Sequence, residues 1–272
     1  MHLIRFETPD GRILHGSQID DGTAALLSSD FFGDRASTGQ TERIGRLLAP
    51  IVPCNIYGIG LNYRDHATET GQELPQNPVI FMKPTTTVTG PGDPILLPAA
   101  CERGPEVDYE AELGVVIGRD ARNVSAEQAL DYVLGYTAAC DVSARRWQKH
   151  GGGGQWIRGK SFDSFCPIGP VLVTADEIPN PQALALRCVV NDEPLQQGST
   201  SDMIFSVAEL IAFLSRDTTL APGTLILTGT PAGVGVARKP PVFLANGDRV
   251  RVEIDGIGVL ENPVMDAVQH AA

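Results

Sequence analysis

Seven short apolar runs dominate the chain after residue 75: VIFMKP, EAELGVVIG, PVLVT, ALRCVVN, TLILTG, RVRVEI and GIGVL. Each is rich in valine, isoleucine or leucine, and each is cut short by glycine, proline or a polar residue. Runs of this length and composition read as strands rather than helices. RVRVEI and GIGVL flank Asp255-Gly256, a strong signal for a hairpin turn. Only two stretches carry a convincing helix start. In SAEQALDYV, Ser125 is followed three residues on by Gln128, and in SVAELIAFLSR, Ser206 is followed by Glu209; both are capping boxes. Many strands, few helices and long loops predict an α+β fold built on a curved mixed sheet, and argue against a doubly wound parallel sheet.

The first 50 residues read as a small β-rich N-terminal domain, with residues 51–272 forming the larger unit. HLIRFETPDGRILHGSQID alternates like two strands around Asp10-Gly11. ERIGRLLAP predicts a short helix stopped by Pro50. The 272 residues hold 33 Asp plus Glu against 21 Lys plus Arg, a net charge of −12. That acidity disfavours nucleic-acid binding and makes a carboxylate cluster with a cation more plausible. No apolar run is long enough to span a bilayer. The polar start MHLIRFETPDG lacks the apolar block of a signal peptide, so the expected location is cytoplasmic. The five cysteines are scattered without C-x-x-C spacing, which reads as reduced thiols rather than zinc ligands or disulfides.

GGGGQWIRGKS contains G-x-x-x-x-G-K-S from Gly154 to Ser161, the letters of a nucleotide phosphate loop. The physics of that loop requires a buried strand before it and a helix after it. SARRWQKH before the glycines is polar and helix-like, and Pro167 and Pro170 follow closely, so the nucleotide reading is rejected. The glycines read instead as a flexible loop or part of a mobile lid, with Lys160 contributing its charge.

VDYEAELGVVIG carries a sharper signal. Residues two apart on a strand share a face, so Asp108, Glu110 and Glu112 are expected together. Clustered, partly buried carboxylates repel one another unless a cation joins them. Carboxylate-only ligation suits magnesium, manganese or calcium rather than zinc. Asp141, in GYTAACDVSARRWQ, is a candidate third ligand. In GIGLNYRDHATE, His66 and Glu69 are spaced to meet on a helical turn. A carboxylate beside histidine fixes its tautomer and makes it a general base.

Taken in order, GIGLNYRDHATE, PVIFMKP, DYEAELGVVIG, GYTAACDVSARRWQ, GKSFDSFCPIGP and LILTGTPAGVG resemble the fumarylacetoacetate hydrolase family over roughly residues 54–264. The resemblance implies a catalytic domain of mixed β-sheets in a β-roll, usually assembled as a homodimer. It implies Mg2+ or Mn2+ (Ca2+ in some members) held by Glu110, Glu112 and Asp141, and leaves Asp108 out of the ligand set. It places His66, Glu69 and Lys160 in catalysis and Gln148 and Thr230 against a small oxo-acid substrate. It implies a divalent-metal-dependent hydrolase that cleaves a C–C bond in a 2,4-dioxo acid through a metal-stabilised enolate, with His66 and Glu69 activating water. The alternative is a decarboxylase or tautomerase of oxaloacetate, or an isomerase of a 2-hydroxy-dienedioate. Three positions depart from the pattern. Cys140 stands where Asn is frequent, Arg146 where an acid is common, and Leu61 where acylpyruvases carry an arginine.

Overall fold

Ala111–Ile117 has no exposed residue, which explains why it reads as a nearly continuous apolar run: it is a central strand, covered on both faces. The computed structural model that shows this describes residues 1–20 and 22–267. Val115 and Ile117 join the larger hydrophobic core, and Val116 joins a second one on the opposite face. The strand pairs antiparallel with Val133–Cys140 on one side and Leu225–Leu227 on the other. Beyond Leu225–Leu227 the sheet continues through Ile56–Gly60, paired in parallel, and Val79–Lys83. On the other side it runs through Cys166–Thr174 to His2–Glu7 and the N-terminal strands. A five-stranded sheet that includes Ala185–Val190, Arg249–Ile254 and Gly258–Asp266 packs its apolar residues into the larger core. The fold is therefore the expected α+β type, mostly β, and the hairpins at Asp10-Gly11 and Asp255-Gly256 are both present.

Two expected helices are not formed. Residues 125–132 make successive i→i+3 bonds and a 3-10 turn, Ala129–Tyr132, in place of an α-helix. The chain must enter the strand Val133–Cys140 at once, and the Tyr132 carbonyl is already taken by the Gly118 N–H at 2.8 Å. ERIGRLLAP instead ends the strand Ser37–Arg43 and continues as Arg46–Leu47, paired with His2–Glu7. Gly45 donates to the Glu7 carbonyl at 2.8 Å, so this backbone finds its partners in the sheet and not four residues back. The helix at Ser206 does form, as Val207–Leu214, with both halves of the capping box in place.

Register brings the chemistry together. Ala111 pairs with Cys140, so Glu110 and Asp141, each one step beyond its strand, become neighbours; the Asp141 N–H donates to the Glu110 carbonyl at 2.9 Å. Gly114 pairs with Leu227, which carries Thr228–Thr230 past Glu112. The parallel pairing of Ile56–Gly60 with Leu225–Leu227 then sets Leu61–Tyr63 alongside. Fully buried Asn62 locks that approach by donating to the carbonyls of Thr228 at 2.8 Å and Phe205 at 3.0 Å.

Candidate active site

A cavity of about 490 Å³ opens where these strand ends meet. His66, Glu69, Glu110, Glu112, Gln148, Lys160 and Thr230 all line it, so seven of the eight sequence-derived candidates share one space. The eighth, Asp141, is fully buried beneath and is reached through Lys160.

Glu110, Glu112 and Asp141 each offer an oxygen within 4.8 Å of the others. Lys160 donates to Glu110 Oε2 at 2.7 Å and to Asp141 Oδ2 at 2.6 Å. Arg145 Nη1 pairs with Glu110 Oε1 at 2.8 Å. Burial alone pushes the Glu110 carboxyl up, but Lys160 and Arg145 outweigh it and hold its pKa well below the usual range. Glu112 differs. Among the described residues its Oε2 accepts only the Gly229 N–H, at 2.7 Å, and burial followed by the charges of Asp141 and Glu110 pushes its pKa well up. The Gly229 backbone can present that N–H because it adopts φ 97°, a conformation that favours glycine. Glu112 is thus a buried carboxylate facing two others with no cation of its own. The all-carboxylate donor set fits a hard dication, which Glu110, Glu112 and Asp141 would hold and which would supply the missing charge.

Two cations were not singled out in the sequence. Lys83, the last residue of Val79–Lys83, is 2% exposed; its ammonium pairs with Asp141 Oδ1 and donates to the Val142 carbonyl at 3.2 Å. Its only signal was a lysine closing an apolar strand. Arg145 sits on the short helix Arg145–His150. It reaches Asp108 at 2.7 Å, Glu110, and the Gln148 amide oxygen at 3.1 Å, and its buried Nη2 has no partner among the described residues. Arg146, noted as a departure, turns away from the cavity to pair with Glu106.

Asp108 does not join the other two glutamates. The strand breaks after Val107–Asp108 and resumes at Ala111. Asp108 accepts the N–H groups of Tyr109, Gly235 and Val236 at 2.8–2.9 Å and pairs with Arg145. It is a structural clamp that holds Arg145 toward the cavity. Asp108→Ala removes one of the two carboxylates that pair buried Arg145 and takes the acceptor from the N–H groups of Tyr109, Gly235 and Val236. Urea denaturation is expected to show a loss of about 3–5 kcal/mol of unfolding free energy; a loss under about 1 kcal/mol would contradict the clamp.

His66 and Glu69 lie on the helix Arg64–Thr70. His66 Nδ1 and Glu69 Oε2 are 3.2 Å apart, with the side chains 13% and 22% exposed. Glu69 Oε1 also accepts the Gly233 N–H at 2.9 Å, which fixes the carboxylate. An ionised Glu69 makes Nδ1 the donor and leaves Nε2 as the proton acceptor. The Thr230 hydroxyl is already committed: it donates to the Ala111 carbonyl at 2.9 Å and accepts from Gln196 at 2.8 Å. The glycine loop 151–154 follows a helix and leads only into the 3-10 turn Ile157–Lys160, so the strand and helix that make a phosphate loop are missing around it. No helix among the described residues is long and apolar enough to cross a membrane.

The fumarylacetoacetate hydrolase C-terminal family model matches residues 55–265, and the chain belongs to that family. It is an enzyme of that family. It is 52% identical over 220 residues to the mitochondrial oxaloacetate tautomerase of Xenopus laevis, covering 80% of this chain and 68% of that protein. The crystal structure of 2-hydroxyhepta-2,4-diene-1,7-dioate isomerase from Mycobacterium marinum matches with a TM-score of 0.85 and 41% identity, over 99% of this chain and all of that one. The fumarylacetoacetate hydrolase of Exiguobacterium antarcticum matches with a TM-score of 0.87 and 37% identity, over 98% of this chain and 100% of that one.

Proposed function

We propose that this enzyme moves a proton on a short, enolisable 2-oxo acid, with keto–enol tautomerisation of oxaloacetate as its reaction. One observation carries the reading: a histidine with a carboxylate-fixed tautomer faces the same cavity as a carboxylate cluster suited to a dication and a buried arginine with a spare N–H. The 52% identity to an oxaloacetate tautomerase supports the substrate. Charge supports it as well. Among the described residues, Asp108, Glu110, Glu112 and Asp141 pair with Lys83, Arg145 and Lys160, four acids against three cations. A dication held by Glu110, Glu112 and Asp141 would turn that deficit into a surplus that suits an anionic substrate.

Magnesium or manganese held by Glu110, Glu112 and Asp141 would polarise the carbonyl and acidify the adjacent C–H. Arg145 Nη2 and the Gln148 amide bind the substrate carboxylate. Lys160 has its ammonium kept charged: burial lowers its pKa, but Asp141 and Glu110 outweigh burial and raise it. It donates a hydrogen bond to the oxygen where negative charge develops. His66 Nε2 takes the proton from the carbon beside the carbonyl, the C–H electron pair becomes the C=C bond, and the same imidazole returns the proton to the enolate oxygen. Atoms balance, and no water is consumed.

Isomerisation of a hydroxy-dienedioate uses the same steps, and the Mycobacterium marinum neighbour favours it as the second reading. The C–C hydrolysis expected from the sequence needs a positioned water in addition, and it has less support from the relatives than proton transfer does. The test is a panel of oxaloacetate, a hydroxy-dienedioate and acylpyruvates with Mg2+ or Mn2+. Loss of the oxaloacetate enol absorbance well above the uncatalysed rate is expected. Acylpyruvate cleavage with no effect on oxaloacetate would restore the hydrolase reading.

A further inference from the structure

The strand Ile56–Gly60 carries glycine at two alternate positions, and each is a notch filled by an aromatic ring. A Cβ on Gly58 would lie 2.2 Å from the Phe81 ring, and one on Gly60 would lie 2.2 Å from the Trp156 ring. Residues two apart on a strand share a face, so the rings lie side by side. Their centroids are 6.0 Å apart at an interplanar angle of 52°, a favourable aromatic pair. Phe81 also sits 4.8 Å from Lys160 Nζ. Contacts therefore run in series from the ammonium between Glu110 and Asp141, through Phe81 and Trp156, to the Gly60 backbone. Gly60, Phe81, Trp156 and Lys160 all line the cavity.

Trp156 comes from the far side of the glycine loop, where Gly153 and Gly154 adopt φ 59° and 88° and turn the chain back over the site. It is half-buried, its only aromatic partner is Phe81, and it makes no hydrogen bond to the carboxylates or to the His66–Glu69 pair among the described residues. Beside it, Leu61 is held at φ 51°, in the left-handed region that non-glycine residues seldom adopt. The catalytic groups are polar; this wall is apolar, and it is bulky only because two glycines make room for it.

The structure assigns Trp156 as a specificity-determining residue: its indole, lodged in the Gly60 notch, closes the cavity beyond Phe81 and limits substrate length. A seven-carbon dienedioate skeleton then reaches this wall, where a compact four-carbon oxo acid does not. This deepens the proton-transfer reading above and rests on it for the reacting substrates. Replacing Trp156 by Ala opens the wall without touching the proton-transfer groups, so the change should appear as discrimination between lengths and not as a uniform loss.

The test compares wild type, Trp156→Ala and Trp156→Phe in Mg2+, each checked by thermal melting. Calorimetry measures binding of oxalate and of heptanedioate, and kinetics measure kcat/KM for oxaloacetate and for 2-hydroxyhepta-2,4-diene-1,7-dioate. Trp156→Ala is expected to shift both long-to-short ratios at least about 10-fold toward the longer compound, the scale set by a pocket gaining one or two methylenes of room. Trp156→Phe should fall between, and it carries the test if the alanine variant does not fold. Unchanged ratios in both variants would overturn the assignment. If wild type turns over neither substrate, the functional reading fails, while the two binding affinities still decide the role of Trp156.

Discussion

Replacing Glu112 with Gln is expected to weaken Mn2+ binding by at least about 100-fold, since even the loss of a group that only supports a ligand costs about 10–100-fold. The three carboxylates are unequally served. Both oxygens of Glu110 and both of Asp141 already meet a lysine or arginine. Glu112 meets only the Gly229 N–H. Glutamine keeps an oxygen for that N–H and nearly the same volume, so the fold should survive while the charge goes. Stability and metal affinity should also depend on pH through Glu112. Burial first, then Asp141 and Glu110, raises the Glu112 pKa above its unfolded value. A group shifted in that direction contributes stability that is complete below its unfolded pKa and is lost as pH rises through its folded pKa. The metal-free wild type should therefore lose Tm as pH climbs from the ordinary carboxylate range, and Glu112→Gln should lose less. Mn2+ needs the deprotonated carboxylate, so its affinity should rise with pH over the same window and restore the lost Tm. Equal Mn2+ affinity in wild type and variant would remove Glu112 from the metal site.

Much of this arrangement was legible in the residues, and the failures share a cause. LGVVIG announced a central strand because a segment buried on both faces cannot afford polar residues. Ser206 and Glu209 announced a helix because both halves of a capping box lie within four residues and need nothing distant. SAEQALDYV carries a similar signal, yet Val133–Cys140 captures the chain directly after Tyr132. ERIGRLLAP loses its helix to a pairing with His2–Glu7, some forty residues away. Asp108 looked equivalent to Glu110 and Glu112 because alternation is all a strand pattern reveals. The partners that pull it aside, Gly235 and Val236, are more than 120 residues distant. Lys83 escaped notice for the same reason: a lysine ending VIFMK looks like a solvated strand end until Asp141 is placed against it. Residue type and local spacing single out the acids and the histidine as candidates; which cation serves which acid is decided by sheet register.

Replacing His66 with Asn is expected to lower kcat by about 10²–10⁴, the usual contribution of a positioned general base, with Mn2+ affinity almost unchanged. His66 makes its polar side-chain contact with Glu69 and none with the Glu110–Glu112–Asp141 cluster, so its loss should not disturb the cation. The sharper experiment changes Glu69 alone. Glu69→Gln keeps an oxygen for the Gly233 N–H but can offer an N–H to His66 Nδ1. That reverses the preference: Nδ1 becomes the acceptor, Nε2 carries the proton, and the cavity loses its base although the imidazole remains. Glu69→Gln should therefore approach His66→Asn in lost rate and leave binding of oxalate with Mg2+ intact. Exchange of the oxaloacetate C3 hydrogens with deuterated solvent, followed by NMR, isolates the proton-transfer step from any later bond cleavage. Slowed exchange in both variants is the expected result. Wild-type exchange in His66→Asn would move the base to another residue, and wild-type exchange in Glu69→Gln alone would mean that Glu69 positions the helix Arg64–Thr70 through Gly233 and does not set the tautomer.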